Sequence, residues 1–261
     1  MSYESIDVAF DDAVCRLQFR RPESGNAIDA RLVAECAEVL DRCEESANVV
    51  VVSGSPEVFC FGADFKAIAK GTNGANGNGH PSDPYGSATA LYDLWLRLAT
   101  GPYVSVAHVR GKANAGGIGF VAACDVVIAD ETAQFSLSEL LFGLYPACVM
   151  PFLVRRIGFQ KANYLALMTQ PIAARQACEW GLADVVEAQS DAAVRRHLQR
   201  LGRLSKAAIR RYKRSMSGIG VPLRDLRSAA VAGNVEIFTD PANLQAITRY
   251  VEHGLFPWES A

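Results

Sequence analysis

Apolar and polar residues follow patterns along this chain that predict a mixed α/β fold. Residues 5–10 and 14–19 alternate around Asp11-Asp12, which indicates a β-hairpin. Residues 29–44 repeat apolar positions at helical spacing, and the four valines of 49–52 are typical of a buried strand. Further strands are predicted over 104–109, 126–129, 133–136 and 185–186. Helical segments separate most of them, so the order strand, strand, helix recurs.

The end of the chain is predicted to be helical throughout. After residue 190, apolar residues recur at helical spacing over 190–216, 222–237 and 240–252. These apolar faces need a partner, either one another or the same region of sister subunits. We therefore predict an α/β core over 1–190 and a C-terminal helical region over 191–261 that associates in a homo-oligomer.

A segment rich in glycine, asparagine and proline interrupts the core over residues 70–87. This composition disfavours regular structure, so we predict a loop without helix or strand. The loop follows the small-residue turn Phe61-Gly62-Ala63-Asp64. It is either a lid over a site at that turn or a surface insertion.

Two turns built from small residues are each predicted to open a helix. They are Phe61-Gly62-Ala63-Asp64 and Asn114-Ala115-Gly116-Gly117. The first backbone N–H groups of a helix lack intrahelical acceptors, and the helix dipole adds positive potential there. Brought together, the two turns would aim two N–H donors at one developing oxyanion. The alternative is a pair of ordinary strand-to-helix turns.

Glu139 is the carboxylate best suited to move a proton. It lies in the apolar segment Phe135-Ser136-Leu137-Ser138-Glu139-Leu140-Leu141-Phe142, where burial would raise its pKa towards neutrality. The competing interpretation is a capping box, with Ser136 as N-cap and Glu139 at the third helical position. On spacing alone the capping box is favoured.

Asp64 and His108 are weaker acid–base candidates. Asp64 lies at a helix N-terminus, where a negative charge is favoured for structural reasons alone. His108 ends a predicted strand, where a packed or hydrogen-bonded histidine is the more common case. Both stay open as a second acid beside Glu139.

Four further residues are candidates for substrate contacts. Arg110 and Lys112 lie beside the second turn, and each either meets a substrate carboxylate or is solvated. Tyr145 and Cys148 flank Pro146 after the Glu139 segment. We expect these two to shape a binding cavity.

Composition narrows the classes of function. The 261 residues are 50% hydrophobic with a formal net charge of −2, so no charge bias indicates nucleic acid or a membrane. The N-terminus lacks a signal-peptide pattern, and no apolar run approaches the roughly 20 residues of a membrane helix. Seven scattered cysteines without a C-x-x-C pair are typical of buried thiols in a reducing cytoplasm, and no metal motif occurs.

One basic stretch in the C-terminal region is a local exception. It either meets an acidic carrier protein, the phosphates of coenzyme A or RNA, or it is a solvated helix face. The solvated face is favoured because Tyr212 is the only aromatic residue interleaved with it. Its cations are Arg195, Arg196, Arg200, Arg203, Lys206, Arg210, Arg211, Lys213 and Arg214.

Four motifs, in this order and spacing, resemble the crotonase (enoyl-CoA hydratase/isomerase) superfamily. They are Arg21-Pro22-Glu23…Asn26-Ala27, Phe59-Cys60-Phe61-Gly62-Ala63-Asp64, Ala115-Gly116-Gly117…Ala123-Cys124-Asp125 and Gln134-Phe135…Glu139…Gly143…Pro146. The resemblance implies a ββα-spiral catalytic core and a C-terminal trimerisation region, as a trimer or a dimer of trimers. It also implies an acyl thioester substrate whose oxygen is bound as an enolate by the N–H groups of Ala63 and Gly116.

Within this superfamily the chain looks similar to the polyketide β-branching dehydratases. The shared runs are Glu57–Phe65, Asn114–Gly117, Phe135–Cys148 and Phe256–Glu259. That subgroup removes water from 3-hydroxy-3-methylglutaryl-acyl carrier protein, beside an HMG-CoA-synthase-like enzyme, in antibiotic biosynthesis. The implied function is a hydro-lyase that makes 3-methylglutaconyl-acyl carrier protein, with no cofactor beyond the phosphopantetheine thioester of the substrate.

The resemblance also assigns individual residues. Ordinary hydratases carry two catalytic glutamates; Glu139 matches the second, which moves the α-proton, whereas Gly119 stands in place of the first. We expect Gly119 to leave room for the substrate branch. The other implied contacts are Phe61, Gly62 and Gly117 with the substrate, and Ala27 and Lys66 with the thioester arm.

Three other functions stay open at this point. A methylglutaconyl thioester decarboxylase would need no α-proton base, so Glu139 counts against it. A catabolic enoyl-CoA hydratase or isomerase is disfavoured by Gly119. A non-catalytic subunit that binds a carrier protein or RNA would depend on the basic stretch.

Overall fold

The computed structural model describes residues 3–72 and 83–260 of the chain. The strands in these ranges are β1 (Ile6–Asp11), β2 (Val14–Phe19), β3 (Val49–Ser53), β4 (Val58–Cys60), β5 (Val104–Val109), β6 (Lys112–Asn114), β7 (Val126–Asp130), β8 (Gln134–Ser136), β9 (Ile172–Ala173) and β10 (Val185–Glu187). The α-helices there are α1 (Ala30–Ser46), α2 (Phe65–Thr72), α3 (Pro84–Thr100), α4 (Gly116–Ala123), α5 (Met150–Ile157), α6 (Phe159–Met168), α7 (Ala174–Glu179), α8 (Ser190–Leu201), α9 (Lys206–Met216), α10 (Leu223–Thr239) and α11 (Pro241–His253). Short 3₁₀ helices cover Pro22–Ser24 and Glu139–Phe142.

The strands form two sheets. The larger sheet has the order β1-β2-β3-β5-β7-β10; β1 and β2 are the predicted antiparallel hairpin, and the other described pairs are parallel. The smaller sheet has the order β4-β6-β8-β9, in which β4, β6 and β8 run parallel and β9 is antiparallel to β8.

The chain alternates between the two sheets in a repeating unit. β3, β5 and β7 of the larger sheet are followed by β4, β6 and β8 of the smaller one, and a helical segment follows each pair. Helices cover both faces of the larger sheet, because Val50 and Val52 of β3 belong to the main core whereas Val49 and Val51 pack with Val194 of α8. A sheet buried on both faces explains the unbroken run of valines. The predicted ββα-spiral fold is confirmed.

Short strands are the elements that periodicity missed. β4 and β6 have three residues each and β9 has two, which is too few for an alternating pattern to register. Their absence from the sequence prediction matters because β4 and β6 lead directly into the two predicted turns. The predicted helix over 190–216 also proves to be two helices, α8 and α9, separated at residues 202–205.

The predicted loop over 70–87 is wrong at both of its ends. Helix α2 continues to Thr72, and α3 begins at Pro84, whose ring suits the first helical position. The Asp83 side chain caps α3 by accepting a 2.7 Å hydrogen bond from the Gly86 N–H. Residues 73–82 lie outside the described residues, so the alternative between lid and insertion stays open.

The C-terminal helices pack on the core of their own chain. Helix α10 contacts α3, and α11 contacts α2. The Tyr92 hydroxyl of α3 donates a 2.6 Å hydrogen bond to the Leu223 carbonyl, and Arg227 forms two 2.6 Å contacts with Asp93. This packing supplies the partner that the apolar faces need, while trimerisation through residues 191–261 stays a prediction.

The basic stretch is not one continuous solvated face. Arg196 pairs with Glu187, Arg210 pairs with Glu45 at 3.0 Å, and the Lys206 ammonium donates to backbone carbonyls at the end of α1. Lys213 is buried and pairs with Asp125. Lys206 and Lys213 are therefore structural, whereas Arg196 and Arg210 form exposed ion pairs, so fewer unpaired cations are left for a carrier- or RNA-binding surface built from this stretch.

The cysteines behave largely as the sequence predicted. Six are buried as free thiols, and Cys178 is exposed. Of the helices in the described ranges, none is both long and apolar enough to cross a membrane.

Replacement of Lys213 by alanine is predicted to destabilise the chain. The change leaves the Asp125 carboxylate, which also accepts hydrogen bonds from Ser105, without its cation in a largely buried environment. Removing one partner of a buried pair costs about 3–5 kcal/mol of unfolding free energy. Urea unfolding checks this, with Arg214→Ala on the exposed side of the same helix as control. Equal losses in the two variants would contradict the expectation.

Candidate active site

Three parallel strands of the smaller sheet end at the same edge. β4 leads to the turn that carries Ala63, β6 leads to the turn that carries Gly116, and β8 leads to Glu139. Because the carboxyl ends of neighbouring parallel strands meet at one edge, the segments that follow them converge there, as in other α/β binding sites. The smaller sheet thus brings together the three residues that the sequence marked as most important.

The first turn holds one backbone N–H group without an acceptor. Gly62 has φ +89°, and its carbonyl accepts a 2.7 Å hydrogen bond from the Ile28 N–H. On the other side the Asp64 N–H donates to the Ile28 carbonyl at 3.2 Å. The Ala63 N–H between them donates to no described residue. The turn therefore presents a fixed, unpaired donor.

The second turn repeats this arrangement. Ala115 has φ +50°, a conformation that costs a residue with a Cβ atom about 1–3 kcal/mol. Its N–H donates a 3.0 Å hydrogen bond to the Ser136 carbonyl, which ties the turn to the end of β8. Gly116 then begins α4, and its N–H has no acceptor among the described residues. In both turns a residue with positive φ directly precedes the unpaired N–H.

The two turns are in contact. A Cβ atom on Gly62 would lie 2.6 Å from the Ala115 Cβ and 3.0 Å from the Gly116 nitrogen. A Cβ atom on Gly116 would lie 3.5 Å from the Gly62 Cα. The small residues are therefore required by the close approach of two backbones, which is the arrangement that an oxyanion hole needs.

Side-chain hydrogen bonds hold the turns in place. Asn114 donates to the Ser138 hydroxyl at 2.9 Å and accepts from the Ser136 hydroxyl at 2.8 Å, so it links the second turn to the Glu139 segment. Buried Asn26 supports the first turn, because its amide donates to the Val58 carbonyl at 2.9 Å. Sequence patterns could not predict these hydrogen bonds, because the partners lie 22 to 32 residues apart.

Glu139 is buried with one carboxylate oxygen unpaired. It begins the 3₁₀ helix, and its Oε2 atom has no hydrogen-bond partner among the described residues. Burial raises its pKa from 4.5 to about 7, partly offset by the backbone N–H groups of Glu139 and Ser138. The predicted capping box is wrong, because Ser136 belongs to β8 and its hydroxyl donates to Asn114. The carboxylate is therefore free to exchange a proton near neutral pH.

A cavity of about 1450 Å³ joins these groups. Ala63, Gly116 and Glu139 all line it. The C-terminal helices contribute an apolar part of the wall that sequence patterns did not assign to a site. Aromatic side chains on this side of the cavity come from α2 and the 3₁₀ helix, namely Phe65 and Phe142, and from the C-terminal region, namely Phe238, Tyr250 and Phe256. Phe142 lies three residues after Glu139 and packs at 5.1 Å between ring centroids against both Phe65 and Tyr250. These contacts bury Phe142 at the end of the 3₁₀ helix that begins at Glu139.

Most of the other predicted site residues also line the cavity. They are Ala27, Phe61, Asp64, Lys66, Lys112, Tyr145 and Cys148. The side chains of Lys66 and Lys112 are exposed to solvent.

Asp64 and Cys148 already have partners in the chain. The Asp64 carboxylate caps α2 through the Ala67 N–H at 3.0 Å and pairs with Arg21 at 3.1 Å. The Cys148 thiol donates to the Ala230 carbonyl, and burial raises its pKa to about 12. Both arrangements favour a structural part for these two side chains.

His108 and Arg110 do not line the cavity, which corrects their predicted place at the site. They lie at and just beyond the end of β5 in the larger sheet, against the start of α8. His108 shares a 2.9 Å hydrogen bond with Ser190, and burial lowers its pKa. Arg110 lies 3.6 Å from Asp191. Neither can reach a substrate held at the two turns.

The other two predicted glycines serve packing. A Cβ atom on Gly117 would lie 2.2 Å from the Cys60 carbonyl oxygen, so glycine here lets α4 approach β4. The expectation that Gly119 leaves room for substrate is wrong. A Cβ atom on Gly119 would lie 2.4 Å from Cζ2 of Trp95, whose indole ring fills that space. The helix periodicity could not reveal this contact between α4 and α3.

The chain is similar to proteins of one family. The family model described as enoyl-CoA hydratase/isomerase matches residues 9–261. The chain is 52% identical over 260 residues to the bacillaene synthase dehydratase PksH of Bacillus subtilis (strain 168), covering 99% of this chain and 98% of that protein. It is 28% identical to 4-chlorobenzoyl coenzyme A dehalogenase-2 of an Arthrobacter species over 194 residues, covering 71% of this chain and 67% of that protein.

Solved structures show the same fold. A crystal structure described as a polyketide biosynthesis enoyl-CoA hydratase (pksH) from Bacillus subtilis matches with a TM-score of 0.92 at 52% identity, covering 98% of this chain and 100% of that one. An enoyl-CoA hydratase/isomerase from Xanthobacter autotrophicus Py2 matches with a TM-score of 0.83 at 23% identity, covering 97% and 95%. At the lower identity the likeness concerns the fold alone.

The raised pKa of Glu139 predicts a pH-dependent stability. Folding keeps a proton on Glu139 that the unfolded chain releases above pH 4.5, until the folded pKa of about 7 is passed. Stability therefore falls as pH rises through this window, by about 3 kcal/mol at most, and levels off above it. In Glu139→Gln this loss is absent, so the variant gains in unfolding free energy relative to the unmodified chain across the window.

Urea unfolding at intervals across that pH window measures the difference. Glu131→Gln is the matched control, because the Glu131 side chain is exposed. Parallel stability curves for the unmodified chain and Glu139→Gln would show that the carboxylate is not desolvated.

Replacement of Gly119 by alanine is predicted to destabilise the fold. Trp95 is buried and packs edge-on against Phe120 and Phe152, so its ring cannot move away from an added methyl group. Overpacking of this kind costs about 1–3 kcal/mol of unfolding free energy. The control is Gly218→Ala, whose added Cβ would make an ordinary 3.7 Å contact. An unchanged melting temperature in Gly119→Ala would mean that the indole ring does not occupy this space.

Proposed function

The chain belongs to the enoyl-CoA hydratase/isomerase family and is an enzyme of the hydratase–dehydratase type, and we propose that its substrate is 3-hydroxy-3-methylglutaryl carried on an acyl carrier protein. The product is the 3-methylglutaconyl thioester, formed by loss of water. The resemblance to β-branching dehydratases supports this substrate. The 52% identity to the bacillaene synthase dehydratase of Bacillus subtilis supports it as well.

The observation that carries the proposal is a single unpaired carboxylate beside two unpaired amides. Glu139 Oε2 and the N–H groups of Ala63 and Gly116 belong to the wall of one cavity. Gly119, which the resemblance places where ordinary hydratases carry the first of their two glutamates, is covered by Trp95. A site with one buried, unpaired carboxylate suits an elimination in which the same group takes and returns a proton.

In the first step the thioester oxygen lies between the two amides. The Glu139 carboxylate takes the proton from the α-carbon, and the electrons of that C–H bond move onto the thioester oxygen as an enolate. Two N–H donors that are already fixed stabilise this charge without reorganising. Removal of one such donor typically costs about 10²–10³ in rate.

In the second step the enolate collapses and the bond from the β-carbon to its hydroxyl breaks. The protonated Glu139 returns its proton to the departing oxygen, so that water leaves and the carboxylate is restored. A pKa near 7 suits both halves of this exchange, because the group is neither too weak as a base nor too weak as an acid.

The remaining assignments concern binding. Ala27 and Lys66, on the cavity wall, are proposed to hold the phosphopantetheine arm of the carrier protein. Lys112, which also lines the cavity, is proposed to face the distal carboxylate of the substrate. The enzyme would act after an HMG-synthase-type condensation and before a decarboxylation, as a homotrimer or a dimer of trimers.

Mass spectrometry of a carrier protein loaded with 3-hydroxy-3-methylglutaryl tests the reaction. Loss of water after addition of the enzyme supports the proposal. Loss of water and carbon dioxide together would indicate an added decarboxylase activity. No change with the carrier-bound substrate, but hydration of a straight-chain enoyl-CoA, would replace the proposal with a catabolic hydratase.

Glu139→Gln is predicted to slow the dehydration by about 10²–10⁴, because the glutamine amide is not basic enough to take the proton from the α-carbon. The rate of water loss from the loaded carrier measures this effect. Glu131→Gln on the exposed surface serves as the control and should keep full activity. Equal rates for Glu139→Gln and the control would reject Glu139 as the base.

A further inference from the structure

Trp95 has a buried hydrogen-bond donor that the mechanism above does not use. Three buried side-chain atoms in the described part of the chain lack a partner, namely Trp95 Nε1, Arg110 Nε and Glu139 Oε2. Of these three residues, Trp95 and Glu139 line the cavity and Arg110 does not. A buried indole N–H normally finds an acceptor, and leaving it unpaired is unfavourable. A bound molecule in the cavity can supply the acceptor.

The indole ring lies beside the candidate oxyanion hole. Its Cη2 atom is 3.9 Å from the position of a Cβ atom on Gly116, the residue that carries one of the unpaired amides. Its Cε2 atom, to which Nε1 is bonded, is 2.6 Å from the position of a Cβ atom on Gly119. The ring therefore fills the space beside Gly119, where α4 has no side chain of its own, and its Cη2 edge faces Gly116 while Nε1 lies on the Cε2 side of the ring.

Packing fixes the orientation of the donor. The Trp95 ring makes edge-to-face contacts with Phe120 at 5.8 Å and with Phe152 at 5.9 Å between ring centroids. Both phenylalanines are buried, as is Trp95 itself. A donor held in this way is preorganised and does not have to reorient when a substrate binds.

We propose that the Trp95 N–H donates a hydrogen bond to the hydroxyl oxygen on the substrate β-carbon and stabilises that oxygen as it leaves. This inference rests on the proposed dehydration. The β-carbon is two bonds from the thioester carbon, so a substrate anchored at Gly116 brings its β-hydroxyl close to the neighbouring ring. The hydrogen bond strengthens as the C–O bond breaks, because its electron pair moves to the oxygen.

The proton that turns the departing oxygen into water comes from Glu139. An indole N–H is a donor only and keeps its hydrogen, so Trp95 supplies polarisation and orientation without taking part in the proton balance. This division of work explains how a site with one carboxylate can both remove an α-proton and assist a poor leaving group. A neutral donor also suits a hydroxyl better than the distal carboxylate, for which Lys112 offers a full charge.

The test replaces the N–H group and keeps the shape of the ring. β-(3-Benzothienyl)alanine, which has sulfur in place of the indole N–H, is introduced at position 95 by nonsense suppression, and Trp95→Phe is made as a second variant. Two reactions are followed with carrier-bound substrates. One is water loss from 3-hydroxy-3-methylglutaryl, and the other is solvent deuterium exchange at the α-carbon of 3-methylglutaryl, which lacks the β-hydroxyl.

We expect the benzothienyl variant to lose about tenfold to hundredfold in kcat for dehydration. Its deuterium exchange, which needs the two amides and Glu139 but no leaving hydroxyl, should stay within about twofold of the unmodified enzyme. Glu139→Gln should lose both reactions. Trp180→Phe, which changes a tryptophan at the end of α7 that does not line the cavity, is the control for dehydration.

The contrary results are distinct. Unchanged dehydration in the benzothienyl variant overturns the inference and leaves the proposed function intact. Equal losses in dehydration and exchange would make Trp95 a packing residue only. A loss confined to KM, and absent for a substrate whose distal carboxylate is replaced by methyl, would assign the N–H to that carboxylate. If the unmodified enzyme removes no water from the loaded carrier, the proposed function fails and this inference fails with it.

Discussion

The parallel ends of β4, β6 and β8 are the constraint on which the rest of this structure depends. Neighbouring parallel strands direct the segments that follow them to the same edge, so the turns carrying Ala63 and Gly116 and the 3₁₀ helix that begins at Glu139 converge there. Asn114 donates a hydrogen bond to the Ser138 hydroxyl and accepts one from the Ser136 hydroxyl, and these bonds join neighbouring segments. The sheet is small, yet it positions the site because each of the three segments that carry site residues follows directly after one of its strands.

Desolvation of Glu139 links this edge to the end of the chain. Burial raises its pKa to about 7, and the 3₁₀ helix that it begins carries Phe142 into an apolar cluster with the C-terminal helices. Tyr250 and Phe256 of the C-terminal region pack on Phe142, three residues beyond the carboxylate. The C-terminal helices therefore belong to the environment of the site as well as to the stability of the fold, whatever further contacts they make between subunits.

Gly119 on α4 and Trp95 on α3 are complementary in shape. With no side chain on α4 at this position, the indole of α3 fills the space and brings a neutral donor to the cavity. The wall then holds one buried carboxylate with an unpaired oxygen, that of Glu139, and one buried neutral donor, that of Trp95. This asymmetry distinguishes the site from one with two carboxylates, and it is consistent with a reaction in which a single group handles the proton.

Sequence patterns by themselves determined the strands of the larger sheet, most helices, and the two small-residue turns and Glu139 as candidates, because valine runs, helical periodicity and glycine-rich turns are local signals. The resemblance of whole motifs supplied the family and the roles of Ala63, Gly116 and Glu139. Only the tertiary structure decided that His108 lies away from the cavity and that Trp95 lies in it, because both outcomes depend on side chains that meet across distant elements. Strands β4, β6 and β9 of the smaller sheet were not predicted, because two or three residues carry no periodic signal and their pairing partners lie about 20 to 55 residues away.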